Sequence, residues 1–185
     1  MPVDDLWYLA SRADQRAERA YHALTERHDG FLEFDRHRTV SRPRFRTLAE
    51  RVERTGAPYG AHTVVYRENG DLLLVRHDEV DLWVLPGGGI DDGESFREAA
   101  ERELAEEAGV DATYDGLAMV TTVEFACEGY SSWGVLPVFE ARADDTDLEV
   151  CDPDGEISAA SWFADLPEDT RDRGHLQRWR DRALS

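Results

Sequence analysis

Six glutamates crowd the fourteen residues from Glu94 to Glu107, directly after the loop Pro86-Gly87-Gly88-Gly89. Glu103, Glu106 and Glu107 stand at i, i+3 and i+4, a spacing that places three carboxylates on neighbouring positions of a helix, where like charges repel. On a wheel of about 100° per residue, Phe96, Ala99, Ala100, Leu104 and Ala108 make one apolar stripe. Glu98, Glu101, Arg102 and Ala105 fall opposite. Glu103 and Glu107 instead project into the stripe, with Glu106 at its edge. A carboxylate facing a core is unfavourable unless it is paired or bound to a cation. A divalent cation would relieve both the burial and the repulsion, and oxygen donors select Mg²⁺ or Mn²⁺ over zinc. The glycine loop would let backbone approach the same spot and offer a carbonyl. The bland alternative is a surface helix of a Glu-rich chain with its carboxylates simply solvated.

The element that carries these residues is clearly punctuated. Ser95 and Glu98 form a capping-box pattern at its start, and Gly109 suits the left-handed position after its end. Upstream, residues 62–67 and 71–76 read as strands joined by a tight Asn69-Gly70 turn, and residues 81–85 form a short apolar piece entering the glycine loop. Further strands are expected at 117–125, 135–143 and 160–164. A final helix is expected at 170–184, with Leu176, Trp179 and Ala183 inward. Residues 1 to about 58 read as helical. Leu6, Ala10, Ala13, Ala17, Ala20 and Leu24 make one stripe that ends at Asp29-Gly30, and a second helix begins near Pro43 with Phe45, Leu48, Ala49 and Val52 on one face. Strands, helix, strands and helix suggest a mixed sheet with helices packed on it.

The chain has 185 residues, enough for one domain with an ordinary core, and a net charge of −19 from 40 acidic residues and 21 arginines, with no lysine. That charge disfavours DNA, RNA and anionic membrane as partners and suggests a solvated acidic surface suited to a salt-loving host. No apolar run is long enough to span a bilayer. The first ten residues lack the basic start of a secretory signal, so a cytoplasmic location is expected. Cys127 and Cys151 show neither metal spacing nor a disulfide framework and are expected in or near the core, reduced. The six histidines contain no HxxxH pair, which argues against a histidine-based zinc site.

Residues 88–110 resemble the Nudix box, Gly-x5-Glu-x7-Arg-Glu-U-x-Glu-Glu-x-Gly-U, where U is a bulky aliphatic residue. Gly88, Glu94, Arg102, Glu103, Leu104, Glu106, Glu107, Gly109 and Val110 fill all nine specified positions. The surrounding strand pattern extends the likeness over roughly 60–165. The resemblance implies an α/β (α+β) fold of α/β/α-sandwich type with a mixed sheet at residues 59–185, preceded by an N-terminal helical extension at 1–58. It implies a hydrolase that cuts the pyrophosphate of a nucleoside diphosphate linked to another moiety. It also implies metal binding by Glu103, Glu106, Glu107 and the Gly88 carbonyl, orientation of the glutamates by Arg102, and bracing of loop and helix by Glu94. In some family members a further glutamate shortly before a late-strand Trp assists, and Glu156 precedes Trp162 by such an interval. The general base is open between Glu103, taken first, and Glu107 or Glu156.

Outside the box, Arg76 could reach a substrate phosphate, with His77 beside it. Trp83, Phe125, Tyr130 and Trp133 are candidates for stacking a base. Some subfamilies carry a Pro or Tyr about sixteen residues after the box; here Ala126, Cys127 and Glu128 occupy that neighbourhood. The substrate class therefore stays open between an ADP-ribose-like nucleotide derivative and a nucleoside triphosphate removed as housecleaning. A ligand sensor without turnover is a third reading, against which the intact glutamate set argues. The extension could make a homodimer interface or cap the substrate pocket.

Overall fold

A computed structural model describes residues 4–185. The chain divides into two compact units, residues 1–60 with 119–137, and residues 61–118 with 138–185.

The first unit is built on two helices, α1 (Asp5–Arg27) and α2 (Arg42–Thr55), and the strand β1 (Leu32–Thr39) between them. Asp4 caps α1 by accepting from the Leu6 N–H at 3.1 Å. Leu6, Leu9, Ala10, Ala13, Ala17, Ala20 and Leu24 are its buried face. The alanines on that face leave room for Phe45, Leu48, Ala49 and Val52 of α2, all fully buried in the same cluster. Ser41 caps the start of α2, and Gly56 ends it in the left-handed region at φ 91°. The helical reading of residues 1–58 needs one correction. β1 pairs in parallel with β6 from Leu32↔Met119 to Thr39↔Ala126. Its sequence, Leu-Glu-Phe-Asp-Arg-His-Arg-Thr, buries only Leu32, so it shows none of the apolar alternation that signals a strand.

The second unit holds β2 (Ala61–Tyr66), β3 (Leu72–His77), β4 (Leu82–Val84), β5 (Gly87–Gly88), α3 (Phe96–Ala108), β8 (Ile157–Phe163) and α4 (Arg173–Ala183), together with the outer parts of β6 (Ala112–Cys127) and β7 (Tyr130–Ala143). The tip of the β6–β7 pair, residues 119–137, belongs to the first unit. The sheet is mixed. β2 runs parallel to β7 and antiparallel to β3 and β5, and β3 runs antiparallel to β4 and β8. Leu104 and Ala108 of α3 join Val65, Leu73, Val75, Val84 and Ile157 in one buried cluster. Tyr66, next to Val65 and so on the opposite sheet face, stacks on Trp179 of α4 at 5.8 Å. Helices thus cover both faces, and the fold is mixed α+β.

Leu176 and Trp179 are buried as expected, but Ala183 is exposed in the last turn of α4. Cys127 is buried, whereas Cys151 is exposed in the link before β8.

Candidate active site

The site grows from the junction of β5 and α3. Ser95 accepts from the Glu98 N–H, and Glu98 accepts in turn from the Ser95 N–H, so both ends of the capping box are made. With the start of α3 fixed in this way, Glu103 and Glu107 point inward. They are 8% and 6% exposed, the most buried acidic residues of α3. Glu106 lies at the edge with 28% of its side chain exposed. The wheel placed all three correctly.

Their partners could not be read from the wheel. The Gly87 N–H donates to Glu107 Oε2 at 2.9 Å. Arg102 donates to Glu94 Oε1 at 2.7 Å, to Glu103 Oε1 at 2.9 Å, to Glu106 Oε2 at 3.4 Å and to the Gly89 carbonyl at 2.8 Å. Glu94 also accepts from the Asp91 N–H at 2.9 Å, locking the loop before α3. One guanidinium fork thus joins loop, helix start and helix middle, a task suited to arginine's planar geometry. Arg102 draws Glu103 and Glu106 toward itself while Gly87 holds Glu107. Among the described residues no three acidic, histidine or cysteine side chains stand grouped as they would around a cation.

The electrostatics follow from burial. Desolvation raises the Glu107 carboxyl to about 8; the Gly87 N–H opposes this, while Glu103, Asp152 and Glu156 add to it. Desolvation also raises Glu103, with Arg102 opposing and Glu106 and Asp154 reinforcing. Glu94 is lowered by its bond to Arg102, and Arg102 is raised by Glu94 and Glu103. Asp152, Asp154 and Glu156 therefore act on the pair from the link between β7 and β8. That link is pinned to α3: the Glu149 N–H donates to the Ala108 carbonyl at 2.8 Å and the Cys151 N–H to the Glu106 carbonyl at 2.9 Å. These bonds satisfy carbonyls left open at the helix end.

Three glycines of the site stand where a Cβ would crowd its neighbours; on Gly87 it would lie 2.5 Å from the Ala61 carbonyl oxygen. A Cβ on Gly88 would stand 2.6 Å from Glu103 Oε1. A Cβ on Gly109, which sits at φ 64°, would stand 2.7 Å from the Glu149 carbonyl. Gly88 lets Glu103 lie against the loop, and Gly109 lets the acidic link lie against the end of α3.

The candidates outside the box fare differently. Glu156 joins the acidic group around Glu107 and lies 3.5 Å from His77 Nε2. Arg76 is engaged elsewhere: its guanidinium pairs with Asp81 and Asp169 and lies over the Trp83 ring. Trp83 itself packs edge-on against Phe163. Phe125 is fully buried in the first unit against Phe45 and cannot stack a base. Tyr130 packs on Phe45 with Arg42 over its ring, and Trp133 packs against that same core. All four aromatics make packing contacts of these kinds in the structure. Asp152 and Asp154 carried no sequence signal, because they reach the pair only through the folding of the link.

A family model for the NUDIX domain matches residues 57–176, and the chain belongs to the Nudix hydrolase family. Enzymes of this family generally use divalent metals. The chain is 38% identical over 89 residues to a Bacillus subtilis (strain 168) protein described as an 8-oxo-dGTP diphosphatase, covering 48% of this chain and 60% of that one. It is 56% identical over 49 residues to an RNA pyrophosphohydrolase of Wolbachia sp. subsp. Brugia malayi (strain TRS), covering 26% and 30%. The chain thus spans less than two thirds of the length of these curated relatives. The solved structure of the MutT protein from Methanosarcina mazei Go1 shares 25% identity over 68% of this chain and 93% of that one, with a TM-score of 0.49. No helix among the described residues is long and apolar enough to cross a membrane.

Proposed function

We propose that the protein hydrolyses the pyrophosphate bond of a nucleoside diphosphate linked to another moiety, with Mg²⁺, or Mn²⁺, as cofactor. The observation that carries this reading is the burial of Glu103 and Glu107 beside the Gly87-Gly88 backbone, with the Arg102 guanidinium bonded to the cluster. The donor set fits a hard divalent ion: carboxylate oxygens of Glu103, Glu106 and Glu107, with Glu156 near them and the Gly88 carbonyl in the adjoining loop. When bound, the cation supplies Lewis-acid chemistry, neutralising phosphate oxygens and making water a better nucleophile.

The protein's own groups do the rest. Arg102 and Glu94 hold the loop and α3 at fixed separation. The Gly87 N–H orients Glu107. Glu103, fixed at Oε1 by Arg102, takes the proton from the attacking water at Oε2, and its burial raises its affinity for that proton. Residues 59–185 form the hydrolase domain and residues 1–58 an extension. The exposed Trp7 and Tyr8 of α1 support a homodimer made through that extension. The acidic surface, with a net charge of −19, supports a cytoplasmic protein adapted to salt. A nucleoside triphosphate is the second substrate reading, favoured by the likeness to the Bacillus subtilis protein.

A phosphate-release screen separates these readings. Its panel is ADP-ribose, nucleotide sugars, CDP-choline, dinucleoside polyphosphates and nucleoside triphosphates, each with Mg²⁺ or with EDTA in high salt. Turnover of a diphosphate derivative that stops in EDTA is the expected result. No turnover of any member sinks the hydrolase reading.

A further inference from the structure

We propose that His77, at the end of β3 opposite a bulge in β8, is a positioning residue that holds the Glu156 carboxylate toward the Glu103–Glu107 pair. The inference rests on the hydrolase reading above. β3 and β8 pair regularly from Leu72↔Phe163 to Arg76↔Ala159, and the register then shifts to His77↔Ile157. Ser158 is the extra residue. A bulge of this kind bends the strand and re-aims the neighbouring side chain, and bulges recur beside active sites. Here the shift sets His77 Nε2 3.5 Å from Glu156 Oε2. The Ser158 hydroxyl donates to Asp78 Oδ1 at 2.5 Å, tying the extra residue back to the end of β3.

The backbone of Glu156 is fixed from both sides. Its carbonyl accepts from the Asp78 N–H at 2.9 Å, and its N–H donates to Asp152 Oδ2 at 2.6 Å. Its side chain is not fixed in this way. It is 48% exposed and lies within reach of the like charge of Glu107, which pushes it toward water. His77 Nε2 is the polar group beside it that offers a partner. The other edge of its ring supports a dedicated role: Nδ1 is buried without a hydrogen-bond partner. A buried polar atom left unpaired is unfavourable and calls for a reason. Orientation of the ring for its Nε2 edge accounts for the unpaired Nδ1. A residue that orients a ligand in this way typically changes metal affinity or activity by about 10–100-fold when removed.

The test compares His77→Ala, His77→Gln, Glu156→Gln and the His77→Ala/Glu156→Gln double variant. Mn²⁺ affinity is measured by electron paramagnetic resonance, and kcat and KM on the best substrate of the screen. His77→Ala is expected to weaken Mn²⁺ binding and lower kcat by about 10–100-fold, with KM within about twofold. His77→Gln, which keeps a donor, recovers most of both. In the Glu156→Gln background His77→Ala changes either readout by no more than about twofold, because the two residues act as one unit. Full additivity, or Mn²⁺ affinity unchanged in His77→Ala, overturns the proposal. If His77→Ala melts early, His77→Phe and His77→Gln fill the site without and with a donor respectively, and only Phe is expected to lose affinity; equal loss in both overturns the proposal. No turnover of any panel member by the wild-type protein would instead sink the hydrolase reading, and the Mn²⁺ measurements would still decide the role of His77.

Discussion

Replacing Glu107 by Gln separates the stability of the fold from its chemistry. Glu107 is 6% exposed, and burial lifts its carboxyl from 4.5 to about 8. Between those values the native protein retains a proton that the unfolded chain has released. Without a cation, the stability associated with this group is therefore complete below pH 4.5 and is lost as pH rises through about 8. The deficit at pH 8 is about 4 kcal/mol. Gln has the same shape and no charge, and its amide oxygen can keep the 2.9 Å bond from the Gly87 N–H. Burying the unpaired amide N–H₂ returns about 1–2 kcal/mol. A net gain of about 2 kcal/mol remains, which raises Tm by about 4–8 °C in a chain of this size. Scanning calorimetry in EDTA should show Glu107→Gln melting above wild type at pH 8, with the advantage gone at pH 5. The same variant should lose turnover by more than about a thousandfold, of the order seen when a central catalytic group is removed. A variant that melts below wild type at pH 8, or by a margin that ignores pH, would refute the view of Glu107 as a desolvated charge.

Three further outcomes test the geometry. In Gly88→Ala the new Cβ, 2.6 Å from Glu103 Oε1, must displace that carboxylate, so kcat should drop by about 100-fold while thermal stability falls little. Arg102→Lys keeps the charge but loses the fork that reaches Glu94, Glu103 and Gly89 together. It should lower the urea-unfolding free energy by about 1–3 kcal/mol and weaken Mn²⁺ binding as well. Gly134→Ala, in the first unit, would place a Cβ 2.6 Å from Pro58 Cδ and 2.7 Å from Val52 Cγ2. That overpacking should cost about 1–3 kcal/mol in urea titration.

The signals that survived from sequence to structure are local ones. The capping box, the Gly109 stop and the inward aim of Glu103 and Glu107 all follow from 3.6-residue periodicity and backbone preferences within one helix, and the structure shows each of them. The apolar stripes of α1 and α2 were legible for the same reason. β1 was not, because a strand with one buried residue owes its existence to the partner strand that fills its hydrogen bonds. Ala183 was placed inward as the continuation of the Leu176–Trp179 face and Cys151 by residue type, but a last helical turn and a surface link bury little whatever their residues are.

The sequence by itself determined the helix that carries the acidic group, which of its glutamates turn inward, and the family to which the chain belongs. Those depend on residues within about twenty positions of one another, where spacing dictates direction. Only tertiary structure decided which groups answer those glutamates. The Gly87 N–H on Glu107, the approach of Asp152, Asp154 and Glu156, the engagement of Arg76 with Asp169, and the burial of Phe125 against Phe45 all join residues of different elements. Such contacts are set by strand register and the course of a link, which no periodicity records.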